Sequence, residues 1–125
     1  MRDNKVLLGQ RLGSHGAGMW ALPGGHLEFS EQVEACAHRE VMEETGLTLS
    51  SMTPGPFTSN VFHAEGKHYV TLFVVARAGA GEPQVREPSK CAGWRWFHWS
   101  SLPQPLFAPL LSLVASGYTP GQNAV

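Results

Sequence analysis

Only two cysteines occur in the chain, Cys36 and Cys91, and they show no metal-ligand spacing. A disulfide-stapled secreted scaffold and a zinc module are therefore excluded, and two ordinary reduced thiols in a cytoplasmic protein are expected. No apolar run approaches the roughly 20 residues needed to span a bilayer. The opening Met1-Arg2-Asp3-Asn4 carries no signal-peptide apolar region. A soluble, intracellular protein without a membrane partner is the expectation. Lysine and arginine number only nine, form no basic tract and leave a formal net charge of −1, which speaks against a dedicated nucleic-acid or membrane-surface binder. No internal repeat and no long low-complexity stretch is present. The 125 residues suit one domain over 1–125, and an apolar fraction of 42% is enough for a proper core.

What is present is unevenly spread. Six of the ten acidic residues fall between Glu28 and Glu44. Around them the chain reads as alternating strands and helices. Lys5 to Arg11 predicts a strand entered from a turn at Asp3-Asn4. Gly13 to Gly18 is a flexible Gly/Ser segment, and Trp20 to Leu22 a short strand broken by Pro23-Gly24-Gly25. Ser30 offers a helix N-cap with Glu31 in the first turn, and Gly46 is a natural stop after Thr45. Asn60 to Ala64 and His68 to Ala78 predict two strands joined by a turn at Glu65-Gly66-Lys67. The second, apolar on both alternating sets from Val70 to Ala76, suits a central strand buried on both faces. Residues 79–93 read as loop, Trp94 to Trp99 as a strand, and Leu106 to Gly117 as a closing amphipathic helix. A tail over 118–125 is expected to fray. The order predicts a mixed α/β sandwich, a sheet with a helix on each side.

The acids carry the chemistry. On a helix advancing about 100° per residue, Glu40, Glu43 and Glu44 share a face. Glu44 falls between Val33 and Ala37, so these acids overlap the apolar stripe where a solvated outer face would oppose it. Like charges so spaced destabilise a helix unless a partner is present. Clustered carboxylate oxygens suit a hard divalent cation, and Mg²⁺ typically takes a few carboxylates plus substrate phosphates. Arg39 stands where it could hold a neighbouring carboxylate in one orientation.

Read together, Gly25-x5-Glu31-x7-Arg39-Glu40-Val41-x-Glu43-Glu44-x-Gly46-Leu47 matches the Nudix hydrolase signature at all nine constrained positions. At roughly 5–7% per specified residue, chance would produce it on the order of once in a billion starts. Val6-Leu7-Leu8-Gly9, Leu22 to Phe29, His68-Tyr69-Val70-Thr71 and Cys91-Ala92-Gly93-Trp94-Arg95-Trp96 extend the resemblance from about Lys5 to Pro120. They resemble the nucleoside-triphosphate diphosphatase branch, of which the thiopurine-triphosphate diphosphatases are one type.

This resemblance implies a Nudix α/β/α sandwich with a mixed sheet between helices, its motif over 25–47. It also implies Mg²⁺ as cofactor, for which Mn²⁺ can substitute. The implied metal ligands are the Gly24 carbonyl, Glu40, Glu43, Glu44 and a late-loop carboxylate, for which Glu87 is the candidate. Glu40, oriented by Arg39, is the implied general base, and Glu31 the anchor of loop to helix. Arg11, Gly25, His26, Thr71, Phe107 and Leu110 fall at positions facing the substrate in the resembling proteins. Ala108 and Pro109 depart from the pattern there and alter the base pocket. Trp20, Trp94, Trp96 and Trp99 are expected in the core. The family pattern also sets a Val/Gly-rich strand ahead of Lys5, so either the start lies upstream of Met1, the favoured expectation, or the sheet edge is open or filled by another chain.

The implied activity is Mg²⁺-dependent hydrolysis of a nucleoside triphosphate, standard or modified, to the monophosphate and pyrophosphate. The alternatives are another diphosphate such as ADP-ribose, or a non-catalytic nucleotide-binding module. The intact acids disfavour the last. A small-molecule nucleotide is the expected partner, without nucleic acid, and the resemblance suggests a homodimer.

Overall fold

The strand β1 (Lys5–Arg11) organises the molecule. The computed structural model describes residues 1–13 and 15–120. Val6, Leu7, Leu8 and Gly9 are all buried, and their alternation sends neighbours to opposite faces. Val6 and Leu8 pack with Leu110 and Leu113, the buried face of helix α2 (Ala108–Ala115), and with Leu106 just before it. Leu7 packs with Val41 and Leu47, at the end of helix α1 (Val33–Thr45). A helix on each side of β1 makes the α/β/α sandwich.

The strand covered on both faces is thus β1, and not His68 to Ala78. That segment forms β4 (Lys67–Ala78), which pairs antiparallel with β3 (Leu49–Phe62) in a two-stranded sheet of its own. Val70 and Leu72 are more than half exposed, as are Phe57 and Val61 across the ladder. The other sheet has the order β2-β1-β5, with β2 (Trp20–Ala21) and β5 (Cys91–His98) antiparallel to β1. Within the described strands the ladders are antiparallel; parallel pairing is confined to the bridge Trp20–Leu106, where a mixed sheet was expected.

Several boundaries differ from expectation. Ser30 does not cap the helix: it sits at φ 65°, the residue before the first turn is Gln32, and Glu31 precedes the helix. β3 begins eleven residues before Asn60, β2 stops at Ala21, and β5 starts at Cys91. Trp99 opens a single 3₁₀ turn, Trp99–Ser101, and Leu106 lies before α2. Two predicted stops hold. Gly46 ends α1 in the left-handed region, its N–H returning to Met42 O at 2.9 Å. Asp3 and Asn4 both have positive φ between the reciprocal hydrogen bonds of Arg2 and Lys5, a two-residue turn. That turn brings Met1 beside β4, where its ammonium donates to Ala76 O and its carbonyl accepts from Ala78 N.

All four tryptophans pack against the two core clusters, as expected. Tyr118 is held rather than frayed: it packs on the α2 cluster, and its carbonyl accepts the Trp99 indole N–H at 3.2 Å. The rest of the predicted frayed tail, from residue 121, lies outside the described residues.

Candidate active site

The turn at Gly24-Gly25 lies against the inner side of α1. The Gly24 N–H donates to Glu44 Oε2 at 2.9 Å. Gly25 comes so close to the Glu40 carboxylate that any side chain at position 25 would overlap it. A Cβ at 25 would push the Glu40 carboxylate out of its present place, and the glycine leaves room for it without an unusual backbone angle.

Arg39 gathers the rest. Its Nε and Nη2 grip both oxygens of Glu31 (2.7 and 3.0 Å), and Nη1 donates to Glu40 Oε1 at 2.8 Å and to Glu43 Oε2 at 3.3 Å. Nη2 also reaches His26 O at 3.2 Å. The fork–fork pair holds the Glu31 carboxyl down to about 2, with the Glu28 N–H adding a second bond to it. The same hydrogen bonds raise the Arg39 guanidinium further above its ordinary value. Glu31 therefore fixes Arg39, Arg39 fixes one oxygen of Glu40, and the loop is tied to the helix through His26.

Glu40, Glu44 and Glu87 line one cavity of about 550 Å³, with Arg11 and Lys90 at its sides and Gly24, Gly25 and His26 along one wall. Glu43 does not line it; half exposed, it turns to Arg39. Burial pushes the Glu44 carboxyl up to about 7; the Gly24 N–H opposes this, and the charges of Glu40 and Glu87 add to it. A cation in this cavity would relieve that penalty. The donors are hard carboxylate oxygens, which fit Mg²⁺ and not a soft metal. Among the described residues no three His, Cys, Asp or Glu side chains already converge on one ion. Mg²⁺ ordinarily completes its shell with water and phosphate oxygens, so one or two carboxylates here are enough.

A second, mainly apolar cavity of about 590 Å³ adjoins the first, sharing Arg11, Gly24, Gly25, His26 and Glu40. Thr71, Phe107 and Leu110 line it, so all six expected substrate positions fall on one hollow. Leu110 is a core residue, only 2% exposed. Phe107 stacks on Phe62 (5.8 Å, 20° between planes), Arg11 lies 4.1 Å over its ring, and Tyr69 stacks on His26. Burial lowers the Arg11 pKa, while the Glu44 charge opposes the shift.

Four residues here escaped sequence reasoning: Phe62, Tyr69, His15 and Lys90. His15 meets Phe62 and Phe107 edge-on and pairs with Glu65 at 3.1 Å. For Phe62 and Tyr69 the advance signal was the β3–β4 hairpin, across whose turn their rings meet at 5.7 Å; His15 and Lys90 had none. Cys36 and Cys91 are free and buried, and burial raises both thiols.

The sandwich, the diglycine and the helix-borne acids define a class, and comparison with known proteins gives it a name. The NUDIX domain model matches residues 1–115, and the chain belongs to the Nudix family. It is 35% identical over 106 residues to the NAD-capped RNA hydrolase NudC of Vibrio atlanticus, covering 81% of this chain. It is 33% identical over 108 residues to the ADP-ribose pyrophosphatase of Methanocaldococcus jannaschii, covering 85% of this chain. The matches span 35% and 62% of those curated relatives' own lengths. Among solved structures, a MutT NUDIX hydrolase from Burkholderia pseudomallei superposes with a TM-score of 0.82 at 37% identity, over 91% of this chain and 89% of that one. The NUDIX domain of Shewanella oneidensis NrtR, complexed with ADP ribose, superposes with a TM-score of 0.71 at 26% identity, over 90% and 75%. Nudix hydrolases generally use divalent metal ions such as Mg²⁺. No described helix is long and apolar enough to cross a membrane.

Proposed function

We propose that the protein is a Mg²⁺-dependent Nudix pyrophosphohydrolase that converts a nucleoside triphosphate to its monophosphate and pyrophosphate. The thiopurine-type branch is the finer form of this reading. The observation that carries it is the junction of the two cavities. Carboxylates from Glu40, Glu44 and Glu87 line one, the Phe107, Phe62 and Tyr69 rings border the other, and Arg11 lies on both. A phosphate chain laid across Arg11 puts its base among the aromatic rings and its anhydride among the acids.

A bound Mg²⁺ would supply charge neutralisation at phosphate and a lowered pKa for the attacking water, and one or two of Glu40, Glu44 and Glu87, with the Gly24 carbonyl, would hold it. The chain's own residues do the rest. Glu40, held at one oxygen by Arg39, would be the base that accepts the proton of the attacking water. Arg11 binds phosphate, and Phe107 supplies stacking of about 1–3 kcal/mol. Glu31 and Glu43 act through Arg39. The rigid helix keeps the acids aligned, which is the main demand of phosphoryl chemistry. The free buried thiols accord with a cytoplasmic enzyme.

A second reading, hydrolysis of ADP-ribose, is favoured by the named relative and by the NrtR domain complex. The test is pyrophosphate release from a panel of standard and modified nucleoside triphosphates, with and without Mg²⁺, beside AMP release from ADP-ribose. Mg²⁺-dependent pyrophosphate release supports the first reading. Turnover of ADP-ribose alone replaces it with the second. Glu40→Gln is expected to abolish turnover in a folded protein; full activity in that variant removes Glu40 from its role.

A further inference from the structure

We propose that Arg86 is a positioning residue that fixes Glu87 at the hydrolytic cleft by docking its loop on the C-terminal end of α1. The inference rests on the reading of Glu87 as a cleft carboxylate.

The last turn of any helix leaves carbonyls without intrahelical partners and concentrates partial negative charge. The last turn of α1 contains no basic residue of its own. The loop over residues 79–90 supplies what is missing. Gln84 N–H donates to Thr45 O at 2.8 Å, Arg86 N–H to Glu44 O at 3.2 Å, and Arg86 Nη1 reaches Met42 O at 3.5 Å. Arg86 Nε is steadied by Gln84 Oε1 at 3.0 Å.

The guanidinium lies flat against Gly46: a Cβ there would stand 2.8 Å from Nη2 and 2.9 Å from Cζ. The motif glycine thus does two things, taking the left-handed angle that ends the helix and leaving the seat for Arg86. Glu87 follows at once. Its carbonyl accepts from Lys90 N at 2.9 Å and from Cys91 N at 3.3 Å, so the turn after it leads directly into β5. Glu87 is pinned on one side by the helix that carries Glu40 and Glu44, and on the other by the central sheet. The late loop is thus docked on the end of the helix, and Arg86 is the side chain that joins them.

The probe is Mn²⁺ alone, followed by loss of its free electron-paramagnetic-resonance signal on titration with protein. Wild type, Glu87→Gln, Arg86→Ala and the double variant are compared, with Arg86→Lys as a variant that keeps the charge and loses the planar fork. Glu87→Gln is expected to weaken Mn²⁺ binding, and Arg86→Ala to weaken it on the order of tenfold, as loss of an outer partner to a ligand does. In the Glu87→Gln background Arg86→Ala is expected to add less than about twofold, because its route to the ion is already gone. Arg86→Lys should fall between wild type and Arg86→Ala.

Unaltered Mn²⁺ binding in Glu87→Gln would overturn the reading of Glu87 itself, and the inference with it. A loss in Glu87→Gln with none in Arg86→Ala or Arg86→Lys would overturn the role of Arg86 alone. Equal losses from Arg86→Ala in both backgrounds would overturn it too, by showing a general effect on the helix.

Discussion

Replacing Glu44 by glutamine is expected to stabilise the metal-free protein at alkaline pH while removing its activity. The Glu44 carboxyl rises from its ordinary 4.5 to about 7, first because burial strips its water and then because Glu40 and Glu87 lie nearby. An acid with a higher pKa folded than unfolded binds its proton more tightly in the native state. Native stability therefore declines as pH climbs from about 4.5 through about 7, and the full cost is present above that window. At 1.36 kcal/mol per pH unit the interval amounts to about 3 kcal/mol. Glu44 keeps partial access to water, and screening reduces the figure to about 2 kcal/mol. Glutamine retains an oxygen for the Gly24 N–H and has no charge to bury. For a domain of this size 1 kcal/mol moves the melting temperature by about 4 °C, so Glu44→Gln should melt about 8 °C higher at pH 8. The two proteins should converge by about pH 5. Scanning calorimetry with chelator between pH 5 and 8.5 reads the effect, and saturating Mg²⁺ should raise the wild type more than the variant. A variant that melts with or below the wild type at pH 8 would refute the account of Glu44 as a charge held against its burial cost.

Three further outcomes are expected. Gly25→Ala should lower kcat on the order of a hundredfold, because its methyl displaces the Glu40 carboxylate, while the melting temperature barely moves; unchanged kcat would show that Glu40 does not need that position. Leu8→Ala, at a position with no exposure between both helix layers, should cost about 3 kcal/mol in urea unfolding, and a loss under 1 kcal/mol would deny β1 its central place. Phe107→Ala should raise KM about tenfold with kcat largely kept, corresponding to one lost stacking contact, and an unaltered KM would move the base elsewhere.

The motif was legible because its constraints are chemical: carboxylates at helical spacing, a glycine where Glu40 approaches, and a glycine where the helix must turn left-handed. Gly46 and the Asp3-Asn4 turn were readable for the same local reason. Ser30 misled because capping is a local preference, and here the long-range grip of Arg39 on Glu31 sets the chain's entry before the helix begins. The first half of β3 was hidden by Pro54-Gly55-Pro56, which normally ends a strand. Here β3 has one strand partner, and its register shifts between Ser50 and Thr53 and again between Pro54 and Phe57, so the missing donors of the two prolines cost little. The apolar run in β4 read as a doubly covered strand, but pattern alone does not say what lies on each face. The Arg86 clamp was invisible, since it joins residues some forty positions apart with no periodic signal.

The shared arginine also governs how a ligand arrives. Arg39 is committed to Glu28, Glu31, Glu40 and Glu43 at once, and Arg11 lies over Phe107. The cations lining the carboxylate cavity, among the described residues, are Arg11 and the exposed Lys90, itself paired with Glu87 at 3.7 Å, against the carboxylates of Glu28, Glu40, Glu44 and Glu87. An uncomplexed polyanion would approach a field of its own sign, and its capture would quicken as salt screens the repulsion. A polyphosphate that brings its own divalent ion carries less net negative charge and meets a lower barrier, so the encounter is expected to favour the metal complex.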